Sequence, residues 1–100
     1  MKNDQTEEKI LTRHPLGKSG KNINKQIYDT VKEGIRAILR TKELTHTELN
    51  DQLNKLLTNK IPGSISWYGE TVKLDLEARG LIQRTPGKPQ KYRLKIPNGK

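Results

Sequence analysis

The sequence predicts one small α+β domain, mostly helical, in which three helices are followed by a two-stranded β-hairpin. Apolar residues recur at three- and four-residue spacing in three successive segments, turn-forming residues end each segment, and two short segments with alternating apolar residues follow the last of them. A chain of 100 residues is too short for two separate cores. Because it contains no Phe and no Cys, we expect a single aliphatic core without disulfides.

The first two helices begin at capping residues. Asn24 is the predicted N-cap of the first helix, which runs through residue 40. Thr45 or Thr47 caps the second, and Thr45 with Glu48 has the spacing of a capping box. The apolar stripes that predict these helices are Ile27, Tyr28, Val31, Ile35, Ile38 and Leu39 in the first, and Leu49, Leu53, Leu56 and Leu57 in the second.

The third helix has two apolar stripes. Ser64 or Ser66 caps it, it runs to Arg79, and Gly80 ends it. A helical projection separates an inward stripe from an outward one that also holds two glutamates. The inward stripe is Ile65, Tyr68, Val72 and Leu76, and the outward residues are Trp67, Thr71, Leu74 and Ala78 with Glu70 and Glu77.

The C-terminal segment predicts the hairpin. Residues 81–85 and 91–96 read as strands around a turn at 86–89, and residues 43–45 are a candidate short third strand. In the second strand, Tyr92, Leu94 and Ile96 alternate with Lys91, Arg93 and Lys95. This order of elements is the winged helix-turn-helix arrangement, in which the hairpin is the wing. We therefore expect a winged-helix domain over residues 23–97 and a flexible N-terminal arm over residues 1–22.

Two stretches carry a family resemblance. The run LEARGLIQR over residues 76–84 is similar to the junction between recognition helix and wing in bacterial regulators of the MarR type. The segments HPLGKSGKNI, GSISWYGETVKLDLEARGLIQR and QKYRL resemble a family of small, functionally uncharacterised bacterial proteins assigned by fold to winged-helix proteins. That resemblance covers about residues 14–96 and implies a winged-helix fold, in which the third helix is the usual DNA-reading element.

The net charge of +9 predicts a polyanionic partner. The charge is local, because residues 81–100 carry six cations and no acid. We expect a cytoplasmic DNA-binding module that acts in transcription regulation and contacts duplex phosphates mainly through the wing. Whether it forms a homodimer and whether it binds RNA instead are open. The candidate nucleic-acid-binding residues are Arg84, Lys88, Lys91, Arg93 and Lys95 in the wing, Lys73 and Ser66 on the third helix, and Lys18 and Lys21 in the arm.

The charge of the third helix argues against this function, because residues 64–80 have two cations and three acids. Three interpretations of its outward apolar stripe compete. The stripe is covered by the N-terminal arm, forms an interface with a second copy or another protein, or faces nucleic acid. The alternative function is therefore a protein interaction module that uses the Trp67 and Leu74 face without a direct nucleic-acid role. The arm residues that would cover the stripe are Ile10, Leu11, Pro15 and Leu16.

No motif predicts an enzyme, a cofactor or a metal site. The run from Thr12 to Ser19 lacks the first glycine of a phosphate-binding P-loop and the strand that precedes one. His14 and His46 have no carboxylates at metal-ligand spacing. The sequence also lacks an apolar run long enough to span a membrane and an N-terminal signal peptide, so we expect no membrane partner.

Overall fold

A computed structural model describes residues 8–18 and 20–95. It confirms an α+β fold, mostly helical, with three helices and a C-terminal antiparallel hairpin, and it adds a second small antiparallel hairpin that the sequence did not predict. One hairpin precedes the helices and the other follows them. The elements are β1 (Lys9–Leu11), β2 (Asn22–Asn24), α1 (Lys25–Leu39), α2 (His46–Leu57), α3 (Ile65–Ala78), β3 (Ile82–Arg84) and β4 (Tyr92–Leu94).

The helix ends confirm the predicted caps. The Asn24 side chain accepts a hydrogen bond from the backbone N–H of Ile27 at 3.1 Å. Thr45 and Glu48 form the capping box, each side chain accepting from the other's backbone N–H at 3.2 and 2.9 Å. Ser64, rather than Ser66, begins α3. Each helix therefore starts where its local sequence satisfies the first free N–H groups.

The core lies where the three helices meet. Leu53 of α2 packs between Gly34 of α1 and Gly69 of α3, and a Cβ at either glycine would lie 3.2 or 3.1 Å from a Leu53 methyl group. Both glycines therefore let a neighbouring helix approach α2 closely. The fully or nearly buried apolar residues are Ile23, Tyr28, Val31, Ile35, Leu39, Leu44, Leu49, Leu53, Leu57, Val72, Leu76, Ile82 and Tyr92.

The C-terminal hairpin joins the core through Tyr92. Strands β3 and β4 are antiparallel, with Ile82 opposite Leu94. The predicted third strand at residues 43–45 is reduced to a single bridge, in which the backbone N–H groups of Leu44 and Tyr92 donate to each other's carbonyls at 3.2 and 2.7 Å. Tyr92 is buried and Leu94 half-buried, which confirms the inward face of the strand; Ile96 lies outside the described residues.

The N-terminal segment corrects the prediction. Residues 9–11 of the predicted arm pair with residues 22–24, and Ile10 packs against the core beside the buried Ile23, so part of the segment predicted as an arm is a hairpin attached to the core. Thr12 is also buried; its backbone N–H donates to the carbonyl of Lys21 at 2.9 Å, and its hydroxyl accepts from the Lys21 N–H at 2.8 Å. Gly20 lies so close that a Cβ there would be 1.7 Å from the Thr12 carbonyl oxygen. Residues 1–7 of the predicted arm lie outside the described residues.

Asp75 is a fully buried carboxylate that joins this hairpin to the helices. It accepts hydrogen bonds from the backbone N–H of Arg13 at 2.8 Å, from the hydroxyl of Tyr28, and from Nε of Arg79 at 2.8 and 2.9 Å. Burial, reinforced by the bond to Asp75, raises the pKa of Tyr28 far above its ordinary value. The bond to Asp75 likewise raises the pKa of Arg79.

We predict that Tyr28→Phe lowers the free energy of unfolding by about 1–3 kcal/mol, because Asp75 loses a buried donor while the ring is kept. Urea unfolding of both proteins measures the difference. The control is Tyr68→Phe. Tyr68 is half-buried and its hydroxyl has no hydrogen bond among the described residues, so its loss should change stability by under about 0.5 kcal/mol. Equal effects of the two substitutions would contradict the role assigned to Tyr28.

The difference in stability between the wild type and Tyr28→Phe should also depend on pH. Because the folded state raises the pKa of Tyr28 above the ordinary 10.0, the unfolded chain ionises first as pH rises. The stability that the wild type gains over Tyr28→Phe should be constant below pH 10 and should fall above it, by at most about 1.4 kcal/mol per pH unit. Urea unfolding on both sides of pH 10 measures this difference.

Candidate nucleic-acid interface

The wing, the hairpin over residues 82–94 with its flanking residues, carries five cations and no acid from residue 81 to residue 95. Lys88 and Lys95 are exposed and Lys91 is half-buried. Within the described ranges these three lysines form no ion pair. They therefore present positive charge to solvent from one small hairpin.

Arg84 is held against α3. It donates to Glu77 through two nitrogens, at 2.7 and 3.1 Å, and its guanidinium lies 5.5 Å from the centre of the Tyr92 ring. The bond to Glu77 raises the pKa of Arg84. Arg84 therefore attaches the wing to α3, and the carboxylate of Glu77 partly neutralises its positive charge.

Arg93 also has hydrogen-bond partners inside the protein. It donates to Glu43 at 3.4 Å. The Gln83 amide oxygen, when it faces Arg93, accepts from two guanidinium nitrogens at 2.8 and 2.9 Å. Part of the hydrogen-bonding capacity of Arg93 is thus used inside the protein.

Lys73 corrects the sequence-based assignment, because its side chain is 4% exposed and cannot lie on an open phosphate-binding surface. Its ammonium donates to Nδ1 of His46 at 2.7 Å and to Glu70 at 2.8 Å, and it lies 4.5 Å from the centre of the Tyr92 ring. Lys73 therefore joins α2, α3 and β4. Its side chain is buried because His46 of α2 and Tyr92 of β4 pack around it.

The remaining predicted contacts lie at the surface. Ser66 is exposed near the start of α3, where its hydroxyl accepts from the side-chain amide of Asn54 at 3.3 Å. Lys18 and Lys21 are exposed in the N-terminal hairpin. The exposed predicted cations thus lie on two hairpins, one that precedes the helices in the sequence and one that follows α3.

The outward stripe of α3 is open at Trp67, which is 46% exposed and meets Tyr68 edge to face at 5.1 Å. Thr71, Leu74 and Ala78 are half-buried. Leu11 and Leu16, two of the residues expected to cover this stripe, are 61% and 76% exposed, so they do not do so. The third, Ile10, packs against the core, and Pro15 is half-buried.

Residues 9–92 match the model of a family of unknown function, DUF6958. The chain belongs to this family. The match extends over the N-terminal hairpin, all three helices and β3, and it ends at the first residue of β4. It agrees with the sequence-based resemblance to an uncharacterised family. No curated protein and no solved structure matches the chain.

The described residues of this DUF6958 chain lack two kinds of feature. No group of three or more His, Cys, Asp or Glu side chains is placed to hold a metal ion there. In the same residues, every helix is too short or too polar to cross a membrane.

We predict that Lys73→Met lowers the free energy of unfolding by about 1–2 kcal/mol, because it removes a buried cation–aromatic contact and a partly exposed ion pair while keeping the aliphatic stem. Thermal or urea unfolding measures the change. The control is Lys88→Met, an exposed position where stability should stay within about 0.5 kcal/mol. If both substitutions have the same small effect, Lys73 does not join the three elements.

Proposed function

We propose that this chain is a winged-helix module that binds double-stranded DNA through its basic wing. The observation that carries the proposal is the group formed by Lys88, Lys91 and Lys95, which lack an ion pair among the described residues and lie on a hairpin without acids. Phosphate contacts from such cations supply much of the affinity of proteins for DNA.

The order and pairing of the elements support the winged-helix interpretation. Leu44, between α1 and α2, pairs with β4, and β4 pairs with β3. Three helices, a bridge before the second and a hairpin after the third follow the order expected of a winged helix. Gly80, with φ of +80°, ends α3 immediately before the wing, as the MarR-like junction implies.

The internal ion pairs limit how much charge the wing offers. Arg84 pairs with Glu77, and Arg93 pairs with Glu43. The other three of the five wing cations can therefore bind phosphates without any ion pair being broken. Each phosphate contact contributes about −0.9 to the slope of log K against log salt concentration. We therefore expect the wing to contribute a slope of about −2.7, the value for three contacts.

We predict that changing Lys88, Lys91 and Lys95 together to Ala flattens the salt dependence of duplex binding by about 2.7, because three phosphate contacts are lost. Fluorescence anisotropy of a labelled duplex, titrated at several salt concentrations, measures the slope. The control changes three exposed lysines on other elements, Lys9, Lys55 and Lys60, and removes the same charge.

The control variant should retain a steeper slope than the wing variant. Absence of binding by the wild-type protein even at low salt would overturn the proposed function. Equal flattening in the two variants would show that only the total charge matters.

The exposed Trp67 favours a second candidate function. A half-exposed Trp on the same helix face as the half-buried Leu74 is an apolar surface of the kind that protein interfaces bury, so the alternative is a dimerisation or docking module. This function does not require the wing cations. It is compatible with DNA binding, since helix-turn-helix proteins often bind paired half-sites as dimers.

If the Trp67 surface forms a dimer, the average mass measured by sedimentation equilibrium should rise above 11.5 kDa with concentration. Trp67→Ala should return the protein to monomer, because aromatic anchors supply much of the interface energy. Leu56→Ala, at an exposed apolar residue of α2, is the control and should leave association unchanged. A wild-type protein that stays monomeric at every concentration would rule out the dimer.

A further inference from the structure

Helix α3 lacks the side chains that read bases most directly. It contains no Arg, Asn or Gln, and Lys73, its one cation, is buried. Sequence-specific contacts in the major groove rely chiefly on Arg or Lys bonded to guanine and on Asn or Gln bonded to adenine. The helix cannot form these contacts.

The acids of α3 are committed as well. Glu70 pairs with Lys73 at 2.8 Å, and Glu77 accepts two hydrogen bonds from Arg84. Asp75 is fully buried. A carboxylate that recognised the amino group of cytosine would first have to leave its partner. The outward surface of the helix therefore offers mainly apolar and hydroxyl groups, from Trp67, Thr71, Leu74 and Ala78.

Two of these acids attach a hairpin on each side of the helix. Asp75 binds the backbone N–H of Arg13 in the N-terminal hairpin, and Glu77 binds Arg84 in the wing. At 100° per residue, positions 75 and 77 are about 160° apart around the outward side of the helix. The outward stripe with Trp67 lies within that arc, so the two hairpins flank it.

Each flank carries exposed cations. Arg13, Lys18 and Lys21 are exposed in the N-terminal hairpin, and Lys88 and Lys95 are exposed in the wing. A duplex placed along α3 would meet positive charge on both sides and few base-reading groups between them. Phosphate contacts position a protein on DNA without conveying sequence.

We infer that α3 anchors the two hairpins instead of reading bases, and that the protein grips duplex DNA from both flanks independently of base sequence. This inference rests on the proposed function and goes beyond it in two respects. It extends the phosphate contacts from the wing to Arg13 and to Lys21, which the sequence had already made a candidate, and it makes the substrate duplex DNA in general.

The first test compares duplexes of one length but different sequence, including A·T-rich, G·C-rich and mixed ones, at a fixed salt concentration. A sequence-reading protein loses about fivefold to more than a hundredfold in affinity for each mismatched base pair. We expect dissociation constants that differ by less than about fivefold over the whole set. One duplex bound more than about a hundredfold more tightly than the others would overturn the inference and leave the proposed function standing.

The second test changes Arg13 and Lys21 to Ala. The substitution keeps the backbone N–H of Arg13 that Asp75 accepts, so folding should be retained, and circular dichroism checks it. We expect the salt slope to flatten by about 1.8, the value for two contacts, and to flatten further when combined with the wing substitutions. The matched control, Lys55→Ala with Lys60→Ala, removes the same charge and should have a steeper salt slope than the variant with Arg13 and Lys21 changed to Ala.

The outcomes separate the two proposals. If the variant with Arg13 and Lys21 changed to Ala folds and keeps the wild-type salt slope, the N-terminal hairpin does not contact phosphates. The proposed contacts from the wing would not be affected by that result. No duplex binding by the wild-type protein would overturn the proposed function, and this inference with it.

Discussion

The carboxylate of Asp75 is completely buried, and a buried charge costs several kcal/mol unless hydrogen bonds and an opposite charge compensate it. Three segments supply that compensation: the backbone of Arg13, the hydroxyl of Tyr28 and the guanidinium of Arg79. Moving any one of them away would leave part of the carboxylate unpaired. This requirement fixes the N-terminal hairpin, α1 and α3 relative to one another.

Lys73 imposes the same requirement on the other side of α3. Its ammonium is satisfied by His46, Glu70 and the face of the Tyr92 ring, which come from α2, α3 and β4. Most charged side chains of α3 are thus used to hold neighbouring elements. As a result, α3 offers no exposed cation, and its outward side presents an apolar stripe.

Much of the fold could be predicted because its signals are local. Asn24, Thr45 and Ser64 cap helices through bonds to residues three positions later, and Gly80 ends α3 through its own backbone conformation. The cationic wing was equally visible, since its lysines lie in one stretch without acids. In the candidate site, the exposure of Lys88 and Lys95 follows from the same pattern.

The sequence by itself determined the helices, the candidate cap of each, the C-terminal hairpin and the position of the charge, because interactions within a few residues decide all of these. Only the tertiary structure decided that residues 9–11 and 22–24 form a hairpin, since strands of three residues are too short to show a period. It also decided that Lys73 and Asp75 are internal. Their partners, His46 and Arg13, lie 27 and 62 residues away, a distance over which no local pattern acts.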